Sequence, residues 1–144
     1  MAPAGMELAQ QVPRSDNAAA DAAANFALDE GTFMQLRVAE TAAFMNELSC
    51  SERNNVGLLF SFDGAARGNP RPASSGVCAW WGSFSQSAFH ARGLIIQRGS
   101  RIGVATNNIA ESHGLVQALK VCLHYHCWVT EQVSHLIGHT MRNE

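Results

Sequence analysis

The sequence predicts an α/β domain: a mixed sheet with a helix between its third and fourth strands, preceded by an acidic extension. Three observations carry this. Period-two apolar spacing begins at Val56 and two further strand-like segments follow, three-and-four spacing takes over after Asn108, and the charge changes sign near residue 55. The chain has 144 residues, 47% of them apolar, which is enough for one domain with a packed core. No stretch of 18 consecutive apolar residues occurs, so no membrane span is expected. The opening MAPAGMELAQQVPR lacks a basic segment followed by an apolar one, so it does not read as a secretory signal and an intracellular location is expected.

Residues 1–55 carry eight acids against three arginines, a net charge of −5, whereas residues 56–144 carry seven bases against four acids, a net charge of +3. All six histidines lie in the second part. This division suggests an acidic arm in front of a domain that tolerates a polyanion, although +3 alone is too small to argue for nucleic acid.

Residues 1–25 are rich in Ala, Pro, Gln and Asn and show no sustained apolar face, so they read as disordered or loosely helical. From Phe26 to Leu48 the residues Phe33, Leu36, Ala39 and Ala43 recur at three and four, which predicts one amphipathic helix. The polar run Ser49–Asn55 then makes a linker, which places a boundary between an extension, 1–55, and a domain, 56–144.

Val56, Leu58, Phe60 and Phe62 alternate with Gly57, Leu59, Ser61 and Asp63, the pattern of a strand near a sheet centre. Gly64–Pro72 is turn-forming. Gly76–Trp81 and Phe89–Gln97 read as two more strands joined by the polar turn 82–87, and three strands with short links predict an antiparallel meander. Between Asn108 and Cys127 the residues Leu115, Ala118, Leu119, Cys122 and Leu123 form a helical stripe. Asn108 is placed as N-cap and Glu111, three residues on, as its capping-box partner. Val133–Ile137 is a short candidate fourth strand, parallel to a neighbour because a helix precedes it.

The four cysteines have no disulfide-framework spacing and are expected as free thiols. Cys122, His124, His126 and Cys127 fall within six residues, but on a helix 124 points nearly opposite to 122 and 126, so one tetrahedral zinc cannot collect all four.

Phe62-Asp63-Gly64-Ala65-Ala66-Arg67-Gly68-Asn69-Pro70, followed two strands later by Thr106-Asn107-Asn108-Ile109-Ala110-Glu111, resembles the type 1 ribonuclease H domain over about residues 56–140. The specificity lies in the combination: an Asp at the end of the first strand with a Gly/Asn turn, and a TNN-x-x-E opening the first helix. The resemblance implies a ribonuclease H-like mixed sheet and cleavage of the RNA strand of an RNA–DNA hybrid by two Mg²⁺ or Mn²⁺ ions. Such ions activate a water and stabilise the leaving oxygen of the phosphodiester. It implies Asp63 and Glu111 as catalytic metal ligands, carboxylate oxygens being what Mg²⁺ prefers. It also implies that Gly64, Ala66, Arg67, Gly68, Asn69, Asn107 and Asn108 contact nucleic acid, where RNA presents its 2′-hydroxyls. The expected partner is therefore an RNA–DNA hybrid, and a monomer is expected. Taken singly, the same residues have plainer roles: Glu111 in a capping box, Asp63 as a turn residue, Arg67 as a solvated cation.

The departures from the family matter. His139, in Gly138-His139-Thr140, stands where the family has its third metal-binding Asp, and no aspartate follows Asp63. An imidazole is a poor Mg²⁺ ligand. The fourth Asp, the fifth strand and the C-terminal helices of the family would all lie past Glu144, and Arg71 replaces a usual Gly. Hydrolysis by this chain is therefore expected to be very weak or absent. The alternative expectation is a catalytically inactive module that binds hybrid or protein.

Overall fold

The computed structural model describes residues 17–50, 55–86 and 88–142, with side chains described to Tyr125. The order is α1 (Ala18–Glu30), β1 (Phe33–Leu36), α2 (Val38–Ser49), β2 (Val56–Ala66), β3 (Arg71–Ser85), β4 (Ala88–Ala105) and α3 (Asn107–Arg142). The four strands form one antiparallel sheet in the order β1-β4-β3-β2. The fold is α/β, and the predicted antiparallel meander supplies three of the four strands.

The meander strands are longer than their apolar runs. β3 continues through Gly82–Ser85 to a turn at Gln86, whose φ of 50° is left-handed, and β4 reaches Ala105. Register shifts at Ala73/Ser74, Ala79/Trp80 and Trp81/Gly82 absorb the extra length as bulges.

Alternation along β3 divides the sheet between its helices. Ser74 and Gly76 face α1: the Ser74 hydroxyl donates to the Ala24 carbonyl, and a Cβ on Gly76 would lie 2.6 Å from the Ala24 nitrogen. Ser75 faces α3, with its Oγ 2.8 Å from Nδ1 of His113. The helix α1 comes this close because Ala20, Ala23, Ala24 and Ala27, all buried, present a stripe of small side chains to Gly76 and Gly99.

The structure corrects three expectations. The single helix expected over 26–48 is two helices separated by a strand: the Gly31 backbone, at φ 115°, ends α1, and Phe33–Leu36 then pairs with Gly99–Ile96 of β4. That strand, antiparallel at the opposite edge from β2, is the fourth strand of the sheet. Residues 133–137, expected as a parallel strand, are helical and lie within α3. The Ala-rich residues 18–25, read as disordered or loosely helical, form most of α1.

The main core lies between the sheet, α2 and α3. Phe44 of α2 packs against Trp81 and Tyr125 with ring centroids 6.1 and 6.3 Å apart, over Ala79, Ile95, Ile96 and Val121. Glu40 accepts a hydrogen bond from the Trp81 indole at 2.8 Å, and the Arg92 guanidinium lies 5.0 Å from the centre of the same ring. A second, smaller cluster of Ala73, Ala105 and Ala110 fixes the start of α3 against the ends of β3 and β4.

Candidate nucleic-acid interface

The two sequence blocks that carry the family resemblance meet in space. Gly64 near the end of β2 lies under the first turns of α3. A Cβ there would sit 2.5 Å from the Ala110 carbonyl carbon and 2.9 Å from the Ala110 Cβ, and would strike the Glu111 nitrogen as well. Only a glycine allows this approach. Gly114, one turn on, lies over the Asp63 carbonyl.

Thr106 starts the helix. Its hydroxyl accepts the Ile109 N–H at 3.3 Å and its carbonyl accepts the Ala110 N–H at 3.0 Å, so Thr106 and not Asn108 is the N-cap. The predicted capping box is consequently absent. Glu111 instead accepts a hydrogen bond from the Asn107 amide at 3.2 Å, one helical turn back. Asn107, Asn108 and Glu111 are exposed.

Asp63 is half-buried, and its Oδ1 accepts the Gly64 N–H at 2.8 Å. Asp63 pairs with Gly76, and Gly64 with Ser75. Strand alternation thus roots the Asp63 side chain on the α1 face while α3, with Glu111, covers the other. The backbones of the two candidate ligands are neighbours, but their side chains start from opposite faces. His139 stands in α3, 28 residues beyond Glu111, about 42 Å along an unbroken helix. Its side chain lies outside the described residues.

The end of β2, the start of α3 and α1 enclose a shallow cleft of about 240 Å³, lined by Asp21 and Asn25 of α1, residues 64–67, and Asn107. Arg67 is exposed and ion-paired with Asp29 at the end of α1. Gly68, at φ 125°, together with Asn69 and Pro70, forms the exposed tip next to it. Of the residues expected to contact nucleic acid, Gly64, Ala66, Arg67 and Asn107 line one cleft, Asn108 lies exposed beside it, and Gly68 and Asn69 form its rim. Asp21 and Asn25 were not foreseen. Their signal was the spacing of Ala20, Ala23, Ala24 and Ala27, a helical stripe with Asp21 and Asn25 on its flank.

The donor chemistry of Asp63 and Glu111 suits a hard divalent cation, but two carboxylates rooted on opposite faces do not make a two-metal centre. Among the described residues no group of three His, Cys, Asp or Glu side chains is placed to hold a metal ion. Cys50, Cys78 and Cys122 are free thiols; burial beneath α1 pushes the Cys78 thiol up to about 11.

No family model matches the chain, and no curated protein matches it. Among solved structures it is similar to LC11-RNase H1 in complex with an RNA/DNA hybrid, with 30% identity, 48% of this chain and 44% of that chain covered, and a TM-score of 0.38. The chain therefore spans less than half the length of that protein. Among the described residues, no helix is long and apolar enough to cross a membrane.

Proposed function

We propose that the chain is a ribonuclease H-like module that binds an RNA–DNA hybrid through the cleft at the end of β2. One observation carries this: the Asp63–Asn69 and Thr106–Glu111 blocks, each weak alone, are locked together by the contact of Gly64 with Ala110. The exposed amides of Asn107 and Asn108 offer donors to sugar hydroxyls, and the tip at Gly68 and Asn69 brings backbone close to the phosphates. Arg67 supplies the positive charge, in exchange for its pairing with Asp29. LC11-RNase H1, crystallised with such a hybrid, is consistent with that ligand.

Hydrolysis is the second reading, favoured by the carboxylate oxygens of Asp63 and Glu111. Both would serve as ligands to Mg²⁺ or Mn²⁺, whose contribution would be an activated water and charge neutralisation. The incomplete ligand set is why binding without turnover is the first reading.

The test measures an end-labelled RNA in a hybrid, by anisotropy for binding and by denaturing gel for cleavage, with Mg²⁺ and with Mn²⁺. Binding retained in Asp63→Asn, lost in Asn107→Ala, and no cleavage is the expected result. Cleavage by the wild type that Asp63→Asn abolishes would establish a nuclease instead. A folded protein that binds no hybrid would refute both readings.

A further inference from the structure

Three of the seven described cations on this molecule have an assigned partner. Arg67 pairs with Asp29, Arg92 with Glu47 and the Trp81 ring, and Arg101 donates to carbonyls at the end of α1. Arg37, Arg71, Arg98 and Lys120 make no ion pair among the described residues, and of these Arg98 and Lys120 both lie close enough to His113 to act on its imidazole.

These two are placed together, on the sheet face covered by α3. Arg98 pairs with Val77 on β4, one step along the same face from the Ser75–Ser100 pair. His113 reaches Ser75 from α3 through the 2.8 Å contact of its Nδ1 with the buried hydroxyl. Lys120 follows two helical turns later on the same flank of α3. The proximity is felt by the imidazole, whose proton affinity is lowered by burial first and then by Lys120 and Arg98. Among the described residues no acid pairs with Arg98 or Lys120 and none acts on the His113 imidazole; of the acids on the neighbouring α2, Glu47 pairs with Arg92 and Glu40 accepts the Trp81 indole N–H. Like charges gathered without a counter-charge repel one another, and an anionic ligand relieves that repulsion.

We propose that Arg98, His113 and Lys120 form a second anion-binding patch, which takes the phosphodiester backbone of the bound nucleic acid on the face opposite to α1. With the Ser75 hydroxyl donating to Nδ1, the neutral imidazole carries its proton on Nε2, as a donor to a phosphate oxygen. Arg98 and Lys120 supply the charge that displaces counterions. The patch contains neither block of the family resemblance. It rests on the reading above only in that the ligand is a nucleic acid.

Lys120 is the only lysine of the chain, which makes the patch directly readable in the unaltered protein. The wild type is treated with an amine-acetylating reagent, with and without a 20-base-pair RNA–DNA hybrid at saturating concentration, and acetylation is quantified by mass spectrometry. The α-amino group is the internal reference. At least fivefold slower acetylation of Lys120, with the reference unchanged, is expected. In parallel, the Arg98→Gln/Lys120→Gln variant is expected to bind the labelled hybrid about 50-fold more weakly at 0.1 M salt, with a log–log salt slope flatter by about 1.8, from two lost phosphate contacts. Arg98→Lys/Lys120→Arg is expected to bind as the wild type.

Hybrid binding with Lys120 unprotected, or with the double glutamine variant within twofold of wild type, overturns the patch and leaves the cleft reading intact. Loss of binding in the double glutamine variant but none in Asn107→Ala supports the patch and overturns the cleft. If the glutamine variant fails to fold, the acetylation of the wild type decides alone. A wild type that binds no nucleic acid overturns both.

Discussion

His113 sits where a proton is costly, and the consequence runs through stability as well as binding. Its folded affinity for a proton lies below the ordinary histidine value of 6.5, mainly through burial. The unfolded chain therefore takes up this proton more readily than the folded one. The stability this provides is full above pH 6.5, declines as pH falls from 6.5 through the lower folded value, and then levels off. Thermal melts at pH 7.5 and pH 5 should show a smaller drop for His113→Gln than for the wild type. At the same scale, the residue types of the cleft were legible in the sequence but their partners were not. Asn108 satisfies every preference for an N-cap, yet Thr106 takes that role because the Ala73, Ala105 and Ala110 cluster pins the helix start two residues earlier.

Helix α1 shows how one side chain from a distant strand can hold an element. Arg101 donates from Nε to the Ala27 carbonyl at 2.9 Å and from a terminal nitrogen to the Leu28 and Asp29 carbonyls at 3.1 Å. The Leu28 and Asp29 carbonyls are among the acceptors a helix leaves unsatisfied at its C-terminus, where a cation is also favoured by the helix dipole, and the Ala27 carbonyl shares Arg101 with the Gly31 N–H. Arg101→Ala is expected to cost about 1–3 kcal/mol, read by urea unfolding, because hydrogen bonds to a charged donor are the stronger kind. The elements that sequence reasoning missed were those where two periods fit equally well. Phe33-Met34-Gln35-Leu36 satisfies either helical or strand spacing, and only Gly31 marks the break. Val133–Ile137 is β-branched enough for a strand, but a five-residue run cannot be distinguished from a helix segment by pattern. The meander, by contrast, was legible because Val56, Leu58, Phe60 and Phe62 keep one face apolar over eight residues, with only Leu59 apolar on the other.

At the scale of the whole molecule, the boundary near residue 55 marks a change in charge and composition, whereas the packing runs straight across it. α1 lies on β3 and β4, β1 extends the sheet, and α2 supplies Phe44 to the main core. A chain reduced to residues 56–144 would expose Gly76, Gly99 and the Trp81 face to water. It is expected to show no cooperative melt by circular dichroism, while the full chain melts in one transition. A fragment that melts cooperatively would show that 56–144 is a self-sufficient domain.

The pairing of Phe33 with Gly99 also sets a timetable. During synthesis Phe33 is made 66 residues before Gly99, and at about 5–20 residues per second the wait is roughly 3–13 s. Through that interval the alanine stripe of α1 has no sheet to lie on, and the first elements made are the last able to find their places. The N-terminal elements can therefore take their places on the sheet only after the β4 segment has been made.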